Sequence, residues 1–238
     1  MQTPDYCREI EAYLCRKNDG HLIRIVGPSF DLVSSWAARG VPLRIACRGI
    51  DRYVERYYAK GPRRRPVRID FCEADVLEAF DEWRRTTGVA AGVEAGTSRG
   101  DAMPPGRRPS GPSLPAHLER VLRRLTSARA SGALDDSFDR LLDGVSRELD
   151  VARQAAGGVR GPARQALVER LAVLDREMLQ TARATLDEAA RAQLTREAGE
   201  DLAAFRAGMA ADAFARAREA AVDRLVRERF GLPTIAVL

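Results

Sequence analysis

The sequence predicts a mainly α-helical protein in two parts joined by a flexible linker. Three observations point to this. Apolar residues recur at helical spacing in both halves. Both Trp, all five Tyr and three of the seven Phe lie before residue 84, whereas the chain from 114 onward is rich in Ala and Leu. Between them, residues 88–113 are dense in Gly, Pro and Ser and carry no apolar period. Such a segment buries too little surface to offset its ordering entropy. The expected division is therefore a domain at 1–87, a disordered linker at 88–113 and a helical domain at 114–238. At about 150 residues per domain, 238 residues correspond to roughly 1.6 domains.

Composition removes several classes. Hydrophobic residues make up 45% and charged residues 31%, which is globular usage. Four cysteines are too few for a disulfide scaffold. No apolar run approaches the 18 or so residues that span a bilayer. The opening MQTPDYCREIEAYLCRK lacks the basic start and apolar core of a signal peptide. A soluble cytoplasmic protein with no membrane contact is expected.

The elements of the first part follow in order. Pro4 to Arg16 places Tyr6, Ile10, Tyr13 and Leu14 at helical spacing. Asn18-Asp19-Gly20 is turn chemistry, and His21 to Val26 has strand composition. Ser29 is the expected cap of a second helix carrying Phe30, Val33, Trp36 and Ala37. Gly40 ends that helix, and Pro42 suits the first turn of a third, about Pro42 to Tyr58. Gly61-Pro62 stops it. Val67 to Phe71 reads as a second short strand, and Glu73 to Arg85 as a closing helix with Val76, Leu77, Phe80 and Trp83.

A helix ending in Gly, a three-residue turn and a second helix is the helix-turn-helix arrangement. A basic loop and a strand then follow. This order, over residues 1–87, resembles winged helix-turn-helix DNA-binding domains. The stretch SFDLVSSWAARGVPLRIACRGIDRYVERYY is also similar to a helix pair of DnaD-type bacterial replication initiators, where a Trp-bearing helix precedes a second helix opening on a small turn. The resemblance implies a DNA-binding protein of replication initiation or helicase loading.

The third helix carries the sharpest feature. Arg44, Arg48, Arg52, Arg56 and Lys60 recur every four residues. At about 100° per residue they form one face, with Leu43, Cys47, Ile50, Val54 and Tyr58 opposite as the expected core face. Arg63, Arg64, Arg65 and Arg68 follow on the expected wing. Residues 44–68 thus hold nine cations against Asp51 and Glu55, a net +7 where the whole chain carries +5. Only Lys17 and Lys60 are lysines, so compositional bias accounts for arginine over lysine but not for this clustering. Asp51 and Glu55 are expected to pair with Arg48 and Arg52, three residues before each. A helix fits the major groove, where Arg donates two bonds to guanine, and flanking arginines meet phosphates. Free backbone N–H groups near Ser29 and Arg44 can add phosphate contacts. The expected partner is double-stranded DNA. The solvated face of an Arg-biased helix is the plain alternative. Tyr53, Tyr57 and Tyr58 are expected at the core or its rim.

Reactive constellations are missing from the sequence. His21 and His117 lie in different parts, and no phosphate loop, nucleophile elbow or zinc-protease motif occurs. Cys7, Cys15, Cys47 and Cys72 lack C-x-x-C spacing and are expected to be reduced, buried and small. No enzyme activity, cofactor or metal is expected.

In the second part, Leu118, Val121, Leu122 and Leu125 mark one helix. Asp135 or Asp136 caps another with Phe138, Leu141, Leu142, Val145 and Leu149. After the break at Gly157 to Pro162, a long helix carries Leu167, Leu171, Leu174, Met178, Ala182 and Leu186. A fourth is expected to run through Leu202, Phe205, Met209, Ala213, Ala217, Ala221 and Leu225 to Gly231. Four such helices suit a bundle. From 114 onward, 20 basic residues face 19 acidic ones, so this part has no nucleic-acid footprint. A homodimer, or docking of a replication or transcription protein through 114–238, is the expected use. The alternatives are a transcriptional regulator and a protein–protein adaptor that binds no nucleic acid. The apolar tail from Leu232 is expected to pack back on the bundle, or else to add to a partner.

Overall fold

The computed structural model describes residues 2–59, 61, 65–89, 113–130 and 135–237. They fall into two compact units. One takes its described residues from Met1–Ser98 and Ala198–Ala220, the other from Arg99–Glu197 and Ala221–Leu238. The linker expected at 88–113 lies outside the described residues except for Gly88, Val89 and Ser113. The fold is mainly helical, as the apolar spacing predicts. Among the described residues no helix is long and apolar enough to cross a membrane.

The first unit holds α1 (Thr3–Lys17), α2 (Pro28–Ala38), α3 (Leu43–Tyr58), a 3₁₀ turn (Ile69–Cys72) and α4 (Glu73–Thr87). Pro4 and Pro28 open α1 and α2, where a missing N–H costs nothing. Ile10, Leu14, Val33, Trp36, Ile45, Ile50, Val76, Phe80 and Trp83 form the core. Residues 198–220, which the sequence reading placed with the second half, close onto this core. The Phe205 ring lies 5.7 Å from Trp83 and 6.3 Å from Phe80.

The two expected strands do not form. Residues 21–26 are irregular, and most of 67–71 is taken up by the 3₁₀ turn. The physical reason is visible in α1, whose side chains satisfy backbone groups that a neighbouring strand would otherwise pair. Glu11 accepts from Ile25 N at 2.7 Å, and Cys15 Sγ accepts from Ile23 N at 3.3 Å. Buried Asn18 accepts from Val67 N at 2.6 Å and donates to Val67 O at 3.2 Å. A wing needs a strand pair, and among the described residues there is none. The two expected helices do follow one another, α2 and α3 being joined by a short turn. Gly40 sits in that turn at φ 75°, where an added Cβ would meet Ala204 Cβ at 2.8 Å. Glycine therefore answers both a backbone and a packing demand there.

The second unit contains α5 (Leu114–Ala130), α6 (Asp136–Ala155) and α7 (Gly161–Ala184). Asp135 caps α6 by accepting from Phe138 N at 2.8 Å. Arg129 of α5 pairs with Asp139 and Asp143 of α6. Leu118, Leu125, Phe138, Leu142, Leu149, Leu171 and Met178 are fully buried.

The single fourth helix expected over 202–225 is instead α8 (Glu188–Asp201), a 3₁₀ segment (Ala203–Gly208) and α9 (Ala211–Phe230). Gly208, a poor helix former, ends the 3₁₀ segment, and that segment lets Phe205 reach its aromatic partners. The C-terminal tail packs back, with Leu232 and Ile235 buried.

Candidate nucleic-acid interface

The helix that carries the arginine row is held in a different rotation from the one its apolar residues suggest. Ile45, Ala46, Gly49 and Ile50 are its buried positions, not Leu43, Cys47, Val54 and Tyr58, which are half-buried. On a helical wheel this turns the core face by about 90°. Gly49 is the cause. Its missing side chain admits the α4 backbone, and a Cβ there would lie 2.4 Å from Val76 Cα.

That rotation divides the arginines. Arg52 and Arg56 fall on the seam with α4. Arg52 pairs with Glu82, and Arg56 forms a bidentate bridge to Asp75 at 2.7 Å. Asp75 is buried and holds the Arg56 guanidinium pKa above its ordinary value, chiefly through these hydrogen bonds. Arg44 and Arg48 are half-buried on the remaining flank of α3. Of the two expected intrahelical acids, Asp51 is engaged elsewhere. Asp51 accepts the Tyr13 hydroxyl at 2.7 Å and pairs with Lys17 at 2.6 Å, tying α3 to α1. Burial and the Asp51 bond push the Tyr13 phenol up to about 12.

Ser29 does not cap α2; Gly27 stands at that position. The Ser29 hydroxyl donates to Asp70 at 2.7 Å, and Asp70 also pairs with Arg68 at 3.0 Å. Arg65 is exposed, and its carbonyl accepts the Tyr57 hydroxyl at 3.1 Å. Lys60, Arg63 and Arg64 lie outside the described residues. The structure thus brings Ser29 and Arg68 together around Asp70, keeps Arg44 and Arg48 on one flank, and places Arg52 and Arg56 in α3–α4 contacts.

Sequence reasoning missed an aromatic row beside this basic turn. Tyr57 and Tyr53 have ring centroids 6.0 Å apart and planes 21° apart; Tyr53 and Phe71 are 6.3 Å and 14° apart. The Arg56 guanidinium lies 5.5 Å from the Tyr53 centroid. Spacing offers one clue, since Tyr53 and Tyr57 share a helical face. Phe71 gives none, because Val67 to Phe71 has strand composition.

Among the described residues, no three His, Cys, Asp or Glu side chains are placed to hold a metal ion. Burial pushes the Cys47 thiol up to about 11 and the Cys72 thiol up to about 12. Both are raised above the ordinary 9.0, so the unfolded chain releases these protons first as pH rises. Stability contributed by the neutral thiols is therefore complete below about pH 9 and is lost through pH 11 to 12. The urea midpoint is expected to fall from about pH 9 toward about pH 11, and Cys47→Ser/Cys72→Ser is expected to flatten that fall. An unchanged pH profile in the double variant would refute the assignment.

Compared with protein-family models, curated proteins and solved structures, the chain matches none of them.

Proposed function

We propose that the protein binds DNA through α3 and the basic segment after it, and carries out no reaction of its own. One observation carries the reading: nine of the chain's 39 cations fall within residues 44–68, against two acids. A net +7 on so short a segment is an electrostatic footprint for phosphate. The helix-turn-helix of α2 and α3 supports it, with Arg44, Arg48, Arg65 and Arg68 as the phosphate contacts. Arg52 and Arg56 serve mainly to hold α3 on α4. The basic segment from Lys60 to Arg68 would act where a wing acts. The similarity of the helix pair to DnaD-type initiators favours a setting in replication initiation over transcriptional regulation. The chain from 114 onward, nearly neutral, would supply assembly or partner docking.

Binding of labelled DNA to the full chain at rising salt tests this. Log affinity is expected to fall linearly and steeply with log salt. Arg44→Ala/Arg48→Ala/Arg65→Ala is expected to weaken every DNA tested and lower the salt slope by about 3. No binding to duplex or single strand overturns the reading. It would then favour the adaptor, for which the exposed Leu22 and Val26 (82% and 67%) provide apolar surface.

A further inference from the structure

The face formed by the C-terminal half of α3 and the 3₁₀ turn has a chemistry that groove binding does not use. Tyr57, Tyr53 and Phe71 stand as three neighbouring rings with nearly parallel planes. Phe71, at the end of the row, is 58% exposed. Tyr53 and Tyr57 are half-buried. Next to the row, the Arg56 guanidinium is fixed in orientation by both Asp75 oxygens, yet its side chain remains 57% exposed. It presents a fourth flat surface, already oriented. Arg65 and Arg68 flank the same rings, Arg65 through its carbonyl on Tyr57 and Arg68 three residues before Phe71. The Ser29–Asp70 bond brings the start of α2 to this turn, and with it the exposed Phe30.

Aromatic faces and guanidinium planes interleaved with cations form the surface that takes unpaired bases. Bases stack on the rings while the backbone phosphates lie along the cations. A duplex cannot use such a surface, because its base faces are already stacked inside the helix. We propose that this face is a stacking platform for single-stranded DNA, with Phe71 as its most accessible ring. The inference rests on the DNA-binding reading above and names the form of DNA it prefers. Charge complementarity argues for nucleic acid over an apolar peptide, since Arg65 and Arg68 border the row.

The test is anisotropy of a labelled oligothymidine of about 20 nucleotides, long enough for a site of 4–16. A duplex of equal length is measured beside it, with the full chain in both cases. The wild type is expected to bind the single strand more tightly. Phe71→Ala and Phe71→Leu are expected to lower single-strand affinity on the order of tenfold. Phe71→Trp, which keeps a π face, is expected to retain it. Thermal melting of each variant is expected to match the wild type, because the ring is mostly in water. Preference for duplex overturns the proposal, as does single-strand affinity untouched by Phe71→Ala and Phe71→Leu. If those variants have no effect while the triple arginine variant loses binding, DNA binding stands and base stacking is rejected. If no DNA binds, both are rejected.

Discussion

Gly49→Ala is expected to destabilise the first unit, reversing the usual sign of such a change. In an exposed helix interior, Ala in place of Gly is worth about 1 kcal/mol of added stability. Gly49 lies mid-helix in α3 at an ordinary helical φ, so the intrinsic gain applies. Its surroundings oppose it. A Cβ at Gly49 would lie 2.4 Å from Val76 Cα, 2.7 Å from Val76 N and 2.8 Å from Val76 Cγ2. Two of those atoms are backbone, so no rotamer change relieves the contact. The whole of α4 has to withdraw from α3. That withdrawal loosens Ile45, Ile50, Val76 and Phe80, all buried, and stretches the Arg56–Asp75 bridge that keeps a buried carboxylate paired. Overpacking of this kind costs about 1–3 kcal/mol, and the larger Gly49→Val more. Gly144 in α6 is the control, because a Cβ there meets nothing within 4 Å. Gly144→Ala is expected to stabilise by about 0.5–1 kcal/mol. Urea melts followed by circular dichroism would read both. A Gly49→Ala protein as stable as wild type would mean that α4 does not pack at this notch.

The same glycine explains where the sequence could be read and where it could not. Helical periodicity located α1, α2, α3 and α4 to within a few residues, because Ile10, Leu14, Val33, Trp36, Val76, Phe80 and Trp83 are large and regularly spaced. It misplaced the buried face of α3, where the contact is made by Ala46 and Gly49 as much as by Ile45 and Ile50. A stripe drawn through large apolar residues leaves out a notch, since a notch consists of absent atoms. The two strand assignments failed for another reason. His21 to Val26 and Val67 to Phe71 have strand composition, but strands need partners. Asn18, Glu11 and Cys15 satisfy part of that backbone from α1 instead. These are long-range side-chain to backbone bonds, which no local pattern announces.

The candidate site was legible as charge and illegible as geometry. The run from Arg44 to Arg68 stands out in the sequence alone. Its division does not, because the fate of Arg52 and Arg56 depends on Glu82 and Asp75 of a helix more than 15 residues away. Asp75 and Glu82 stand seven residues apart and so share a face of α4. Matching that acidic pair to the arginine row would have found the seam. Regular spacing of cations along a helix therefore does not by itself identify a groove-facing surface; the acids on the packing partner have to be read with it.

Asp175→Ala is expected to be the most damaging single change in the second unit. Asp175 lies buried on α7 and is engaged on both oxygens. One accepts from Arg227 Nη2 at 2.6 Å, the other from Ile235 N at 2.7 Å. Arg227 also donates from Nη1 to Pro233 O at 2.8 Å, and the side chains of the pair are only 14% and 13% exposed. His117 Nε2 lies 3.1 Å from Ile235 O on the other side of the tail. The carboxylate therefore neutralises a buried guanidinium and also fastens the C-terminal segment. Removing it leaves Arg227 charged without its partner and Ile235 N without an acceptor. Breaking a buried pair from one side costs about 3–5 kcal/mol. Deleting residues 232–238 acts on the same latch differently. It exposes the sites of Leu232 and Ile235, worth about 1.5–3 kcal/mol each, but spares the Asp175–Arg227 pair itself. The two losses share Ile235, so the combined variant is expected to lose less than the sum of the two. Strict additivity in urea melts would show that Asp175 and the tail act independently, which the hydrogen bond from Ile235 N to Asp175 rules against.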